Sequence, residues 1–363
     1  MDGIGWVTYN TLKEITVNQP EVEFHFLFDS GIDDEFIFSK NIIPHNLFPP
    51  AKHALLNTVW FEWSAKNLLN KIKPDLFFSP DGILCLGWNG KQHGIVHDIN
   101  YEHRPEDLKL TNRIYYKYFI PRSINKACRI ATVSEYSKKD IVDTYKISSE
   151  KIDVIHLGVN DFFKPVESLI IKENIKEKLV QGSDYFIFIG TISPRKNILR
   201  MMQAFDLFKQ QSNNNVKLLI AGKEMYRTTE LHELKARLKY GDDIIFTGRL
   251  YDNDLSDLLA AAFCMIFVPL IEGFGLPPVE AMQCNVPVIA SNVTSVPEIV
   301  GDAGLLVDPY NVEEIKNAMI KIYEDDSLRQ SLIRKGSIRK EKFKWKNTAG
   351  MLWQSMNKCF DSD

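Results

Sequence analysis

No apolar run in the 363-residue sequence approaches the roughly 20 residues that a membrane-spanning helix needs, and its N-terminus lacks the pattern of a signal peptide. Charge of one sign is lacking as well. Against 47 Asp and Glu stand 44 Lys and Arg, a net charge of −3, which removes any global electrostatic case for nucleic acid as a partner. Cysteine is scarce and unpatterned: Cys85, Cys128, Cys264, Cys284 and Cys359 are odd in number and form no C-x-x-C. That predicts free thiols in a reducing compartment, in place of a disulfide framework or a zinc site. The expectation is a soluble, cytoplasmic protein.

What is present is length and alternation. The chain exceeds one ordinary core, so about two domains are expected. Helices alternating with short apolar runs argue for an α/β fold with doubly wound parallel sheets. The opening Met1–Trp6 reads as a glycine loop with a helix over Val7–Ile15 behind it, followed by strand Val22–Phe28. Ala54–Ile72 reads as a long helix with Trp60 and Trp63 on a helical spacing, then come strands Pro74–Ser79 and Gly94–Asp98. Arg129–Ser134 is a strand, Glu135–Tyr145 a helix and Ile152–Ile155 a strand. The pattern then loses β character until Tyr185, which sets the expected division at 1–165, 166–341 and a C-terminal helix in 342–363 that packs back on the first domain.

The densest concentration of chemistry is Pro269–Met282, where Glu272 and Glu280 bracket a glycine loop that runs into a helix headed by Pro277 and Pro278. Gly273 and Gly275 allow close approach of backbone to a ligand, and the helix behind them aims N–H groups and a positive dipole end at it. That combination suits a phosphate, with the carboxylate of Glu280 placed for a ribose diol and that of Glu272 for sugar hydroxyls. For either Glu alone, a dipole-favoured helix start would be the simpler account. A second concentration is Gly190–Asn197. Ser193 and Pro194 read as a cap and first turn, placing Arg195 and Lys196 where the helix dipole disfavours cations by ~0.3–1 kcal/mol each, and a diphosphate would justify both. His97 ends a strand, where open α/β sheets keep their ligands, and a satisfied strand-end histidine is the competing account. His93 and His97 lie in a strand, so the helical geometry of a zinc pair is absent. Asp252-Asn-Asp254 reads as a helix cap, and no metal site is expected. Basic and aromatic residues interleave over Lys109–Lys126, read as a helix pair; such a surface suits anionic lipid, although a solvated face over a core face is the preferred reading.

Taken together, Glu272-Gly-Phe-Gly-Leu-Pro-Pro-Val-Glu280 (an E-x7-E motif), Gly190-Thr-x-x-Pro-Arg-Lys-Asn197, Val96-His-Asp98, Ser134-Glu-Tyr-Ser137 and Ser291-Asn292 resemble the family 4 (group 1) retaining glycosyltransferases. The resemblance covers nearly the whole chain and implies the GT-B fold, two Rossmann-like domains facing across a cleft. It implies a nucleoside-diphosphate sugar as donor and a glycan or lipid-linked sugar as acceptor, with peripheral contact to the inner membrane face as a further possibility. By motif position Glu280 would bind the ribose, and Glu272 with the backbone of Phe274, Gly275 and Leu276 the transferred sugar and its phosphate. Gly190, Arg195 and Lys196 would hold the diphosphate and Leu250 the base, His97 would sit beside the sugar, and Gly3 and Gly5 would form a loop on the acceptor side.

The implied reaction is metal-independent transfer of a hexose with retention by a front-face route, needing no cofactor. Glu272 and Glu280 are assigned to ligand hydroxyls and not to the carboxyl pair of a retaining glycosidase. The flavour of Gly190–Asn197 resembles mannosyltransferases of polysaccharide or lipopolysaccharide assembly and makes guanosine-linked mannose the preferred donor. Many members carry Arg where Thr191 stands, and Arg195 is the expected replacement for its phosphate contact. The family also has a strand ahead of the Gly-Ile-Gly segment, so the first sheet is expected to lack a central strand. An epimerase-like enzyme of the same fold, or a non-catalytic nucleotide-sugar-binding protein, are the alternatives.

Overall fold

Apolar runs too short for helices and bounded by Gly, Pro, Asn and Asp pair here as parallel strands buried under helices. The computed structural model describes residues 3–225, 228–250 and 252–361. The chain divides into two units: the first runs to Gly158 and resumes at Lys344, and the second is Val159–Phe343.

The first unit contains β1 (Phe24–Phe28), β2 (Ile42–Asn46), β3 (Phe77–Ser79), β4 (Gln92–Ile95), β5 (Arg129–Thr132) and β6 (Ile152–Val154). They form two separate parallel sheets, β1-β2 and β3-β4-β5-β6. Among the described residues no strand pairs with the second edge of β1 or of β3. A cavity of about 1660 Å³ is lined by both, together with the helix Gly3–Asn18 and the side chains of Trp353, Met356 and Phe360.

Four expectations are corrected in this unit. Gly3 and Gly5 are not in a loop: the first helix spans Gly3–Asn18 and begins ahead of the expected Val7. Burial of Val7, Thr11 and Ile15 along one stripe, packed on the helix Trp345–Asn357, outweighs the ~0.5–1 kcal/mol that each helical glycine costs. Trp60 and Trp63 do not share a face. A π-helical segment, Trp60–Ala65, interrupts the long helix, leaving Trp60 7% and Trp63 62% exposed. Nor are all five cysteines free, since Cys128 and Cys359 form a disulfide between the start of β5 and the residues after the last helix. The basic, aromatic stretch is one helix, Leu110–Lys126, with Phe119, Ile120, Ser123 and Ile124 buried and Leu110, Ile114 and Tyr118 exposed.

The return of the last helix to the first unit is fixed by polar contacts as well. Asp153 on β6 accepts hydrogen bonds from Arg129 Nε (2.7 Å), Lys358 Nζ (2.6 Å) and Ser355 Oγ (2.7 Å), and buried His93 Nε2 lies 2.8 Å from the same Ser355 Oγ. Burial pushes the His93 imidazole down to about 4, so it is a neutral structural group at ordinary pH.

The second unit has one six-stranded parallel sheet of β7 (Tyr185–Ile189), β8 (Lys217–Ala221), β9 (Ile244–Gly248), β10 (Cys264–Phe267), β11 (Val288–Ser291) and β12 (Gly304–Val307). The order across it is β9-β8-β7-β10-β11-β12, so the winding reverses between β7 and β10. In an open α/β sheet that reversal leaves a crevice at the carboxyl ends of the two strands, and ligands bind there. Every residue of β7 and of β10 is buried. The helix Asp252–Ala260 starts ahead of the expected Leu255, and the side chains of Asp252 and Asn253 lie outside the described residues.

Candidate functional site

The segments leaving β7 and β10 carry the two concentrations of polar residues and meet at the reversal. After β7, Gly190 adopts φ +146°, a conformation that side chains rarely take, and donates its N–H to the carbonyl of Ala221 (3.0 Å). A 3-10 turn, Pro194–Lys196, follows, and Asn197 at φ +64° separates it from the helix Ile198–Ser212. Arg195 and Lys196 are therefore not in the first turn of that helix, and Ser193 makes no side-chain cap; both expectations are corrected. The left-handed Asn197 breaks the helix and turns the preceding cations toward β10.

Those cations have a partner within the chain. Arg195 Nη1 lies 3.0 Å from Glu272 Oε2, and Lys196 Nζ bonds the same oxygen. Arg195 Nη1 also donates to the carbonyl of Ile271 (3.3 Å), while its own carbonyl accepts from Leu270 N–H (2.9 Å). Lys196 is 6% exposed, and its ammonium stands 5.1 Å from the centroid of the Phe267 ring. Burial works to raise the Glu272 carboxyl, but Lys196 and Arg195 outweigh it and hold the group below the usual range. Glu272 is a carboxylate at neutral pH.

The glycine loop is fixed from behind. Ser295 Oγ, fully buried, lies 2.9 Å from the carbonyl oxygens of both Glu272 and Phe274 and can donate to either. Gly275 takes φ +101° as the residue before the helix Leu276–Gln283; a Cβ there would meet only ordinary contacts, so the backbone angle is what requires glycine. Asn197 Nδ2 ties the two segments together by donating to the carbonyls of Val268 (3.0 Å) and Pro309 (2.7 Å). Asn197 enters the sequence reading only as the last residue of the Gly190–Asn197 motif, and Ser295 is not singled out by it. No local pattern marks Ser295, whose carbonyl partners lie 23 and 21 residues away in the chain.

Glu280 is the fifth residue of the helix Leu276–Gln283 and lies past its first turn, where a first-turn position is the sequence expectation. Burial pushes its carboxyl up to about 7, with Lys196 pulling the other way. Lys196 therefore acts electrostatically on both glutamates of the E-x7-E motif. Phe274 is buried with its ring edge-on to Phe343 at 5.9 Å, and Leu276 opens the helix. Leu250 follows β9 at the carboxyl side of the same sheet. His97, two residues beyond β4 in the first unit, has Nε2 3.0 Å from the carbonyl of Pro80, and its own carbonyl accepts from Ser137 Oγ (3.3 Å). A carbonyl acceptor requires the hydrogen on Nε2. The helical Gly3 and Gly5 form no loop beside it. Among the described residues no group of three or more His, Cys, Asp or Glu is placed to hold a metal ion.

What this arrangement can do is bind an anion beside a carboxylate: two cations, a glycine-opened helix start and two glutamates of different proton affinity lie at one strand end. A family model described as "Glycosyl transferases group 1" matches residues 171–339, and one described as "Glycosyltransferase Family 4" matches residues 1–161. The chain belongs to the family 4 (group 1) glycosyltransferases. Among the relatives of this glycosyltransferase family member is O-antigen chain mannosyltransferase B of Escherichia coli, 32% identical over 69% of this chain and 66% of that protein. A second is the serotype-specific mannosyltransferase WbdA of Escherichia coli, 28% identical over 65% of this chain. The aligned part spans about two thirds of the first relative and 29% of the second. The crystal structure of Alr3699/HepE from Anabaena in complex with UDP and glucose superposes with a TM-score of 0.76 at 18% identity, covering 98% of this chain and 96% of that one. Identity that low speaks for the fold, which is GT-B. No helix among the described residues is long and apolar enough to cross a membrane.

Proposed function

We propose that this protein is a retaining glycosyltransferase that moves a hexose, with mannose the preferred case, from a nucleoside-diphosphate sugar to a glycan or lipid-linked acceptor. The observation that carries the reading is the convergence of Arg195, Lys196 and Glu272 on the glycine loop at the strand-order reversal of the second sheet. Arg195 and Lys196 supply fixed positive charge for a diphosphate, Arg as a directional fork and Lys as a compact charge. The N–H groups of Gly275 and Leu276, at the start of the following helix, add donors for the phosphate next to the sugar. Glu272 and Glu280 offer acceptor oxygens for the sugar and ribose hydroxyls, Leu250 backbone for the base, and His97 a place beside the transferred sugar. The relatives' names, an O-antigen chain mannosyltransferase and a serotype-specific mannosyltransferase, favour mannose and a polysaccharide or lipopolysaccharide product.

Chemistry follows from where charge develops. As the bond from the anomeric carbon to the phosphate oxygen breaks, negative charge grows on the departing diphosphate, and Arg195, Lys196 and the helix start are already in place to stabilise it. A front-face reaction then lets that diphosphate take the proton from the incoming hydroxyl while an oxocarbenium-like centre passes between the two oxygens. Neither glutamate is required as a nucleophile. Acceptor recognition is assigned to the first unit, with the exposed Leu110, Ile114 and Tyr118 beside basic residues of the same helix as its surface for a lipid-linked acceptor.

The test is nucleoside-diphosphate release from a panel of nucleotide sugars, with chelator present, with and without sugar and lipid-linked acceptors. Release from one donor that rises with acceptor and ignores chelator supports the transferase and names its donor. Release indifferent to acceptor would favour the epimerase-like reading, and binding without release a non-catalytic protein.

A further inference from the structure

Glu272 cannot serve a sugar hydroxyl and neutralise Arg195 and Lys196 at the same time with the same oxygen. In the structure one carboxylate oxygen, Oε2, takes both cations, at 3.0 Å for Arg195 and closer for Lys196. The group is held there from several sides. Its backbone carbonyl lies 2.9 Å from Ser295 Oγ, the carbonyl of the preceding Ile271 accepts from the same Arg195 nitrogen, and its side chain is only 14% exposed. A diphosphate entering the crevice brings oxygens that want those two cations, so it meets a site already filled by the protein's own anion.

We infer that Glu272 competes with diphosphate for Arg195 and Lys196 and so makes this residue the one that discriminates the sugar-bearing donor from the bare diphosphate product. The inference rests on the donor-site reading above and deepens it. The preference depends on what the displaced carboxylate finds. With a nucleotide sugar bound, the diphosphate takes the cations and the hydroxyls of the sugar donate to Glu272, so the carboxylate exchanges two ionic partners for neutral donors and stays satisfied. With the free nucleoside diphosphate bound, no sugar stands there, and a part-buried carboxylate sits next to an anion with its partners taken. Leaving a buried charge without its partner is costly, and like charges at close range add to it. Product is thereby disfavoured relative to donor, and its release is favoured once the sugar has left. Glu280 on the following helix also interacts electrostatically with the Lys196 ammonium.

Isothermal titration of the full chain tests this, using GDP and GDP-mannose, and UDP and UDP-glucose, against the parent and Glu272→Gln. The amide keeps the size and can still accept from a sugar hydroxyl, but it carries no charge for the cations. The expected result is free diphosphate bound about tenfold more tightly by the variant, with sugar-bearing donor unchanged or weakened. In a Lys196→Met background the gain from Glu272→Gln should shrink to threefold or less, because the competition for that cation is gone. Equal or weaker binding of free diphosphate by Glu272→Gln would overturn the inference, and so would a gain that persists undiminished without Lys196. If Glu272→Gln does not fold, Glu272→Asp, which shortens the reach to the cations while keeping the charge, should show the same direction of change, and its failure to do so counts equally against. A parent that binds a nucleotide sugar while the variant shows no gain sinks this inference and leaves the donor site standing. A folded parent that binds none of the four nucleotides sinks the donor site itself.

Discussion

Glu280 is the residue whose environment makes the clearest demand on solvent conditions. Burial raises its carboxyl from 4.5 to about 7, so between those values the folded protein holds a proton that the unfolded chain has released. The stability tied to that proton is complete below about pH 4.5 and is lost progressively as the pH rises to about 7. Glu280→Gln, which is neutral throughout, should therefore gain on the parent as the pH is raised from 5 to 8, by about 1–3 kcal/mol in chemical denaturation. A gap between the two that stays constant over this range would show that Lys196 keeps Glu280 ionised in the folded state. Asn197 makes a demand of a different kind. It holds a left-handed backbone angle and feeds two carbonyls from otherwise separate segments. Asn197→Ala should cost about 2–4 kcal/mol, from two carbonyls left unsatisfied and the loss of a residue that tolerates the left-handed region better than Ala does. Asn197→Gly, which keeps the backbone angle free of strain, should cost about 1 kcal/mol less, read as the difference in urea midpoints at equal m.

At the scale of elements, the first unit's two sheets each end in an open edge at the same cavity. Among the described residues β1 and β2 pair only with each other, whereas β4 and β5 are paired on both sides. A two-stranded sheet is marginal by itself and depends on the helices packed against it. Native-state hydrogen exchange should show the amides of β1 and β2 protected at least tenfold less than those of β4 and β5, and less again than those of β7, whose five residues are all buried. Protection of β1 equal to that of β5 would mean that packing on the helix Gly3–Asn18 replaces the missing ladder in full. The second sheet has its edges at β9 and β12, two strands away on either side from the reversal between β7 and β10. The loops of the candidate site therefore stand on its two central strands.

At the scale of the whole molecule, the chain closes on itself. The helix Trp345–Asn357 packs on the first helix and on β5, and Cys359 beyond it is joined to Cys128 across 231 residues of sequence. Three other thiols, Cys85, Cys264 and Cys284, are buried, and burial pushes Cys85 up to about 11 and Cys284 up to about 12. Protein purified without reductant should show three reactive thiols in denaturant and five after reduction, with all three slow to react with a thiol reagent at pH 8 in the native state. Five thiols without reduction would show that the bond does not form in solution.

The sequence alone determined the alternation of helices and strands, the parallel sheets and the place of the two glycine-containing segments of the candidate site, because these depend on short-range pattern: buried apolar runs, glycines at left-handed angles, prolines at helix starts. It also carried the motif spacing that marks the family, since Glu272 and Glu280 sit on one loop and one helix only eight residues apart. Other features were settled by contacts between segments distant in sequence. Arg195 and Lys196 looked like cations waiting for an anion, and only folding showed that Glu272, 76 residues from Lys196, answers both. Gly3 and Gly5 looked like a loop because glycine is flexible, and helix packing overrode that preference. Cys128 and Cys359 looked unpaired because no local spacing joins them. In the first two cases the local propensity was weak, of order 1 kcal/mol, and an ion pair or a burial brought about by the tertiary structure was stronger; in the third only folding brought the two sulfurs together.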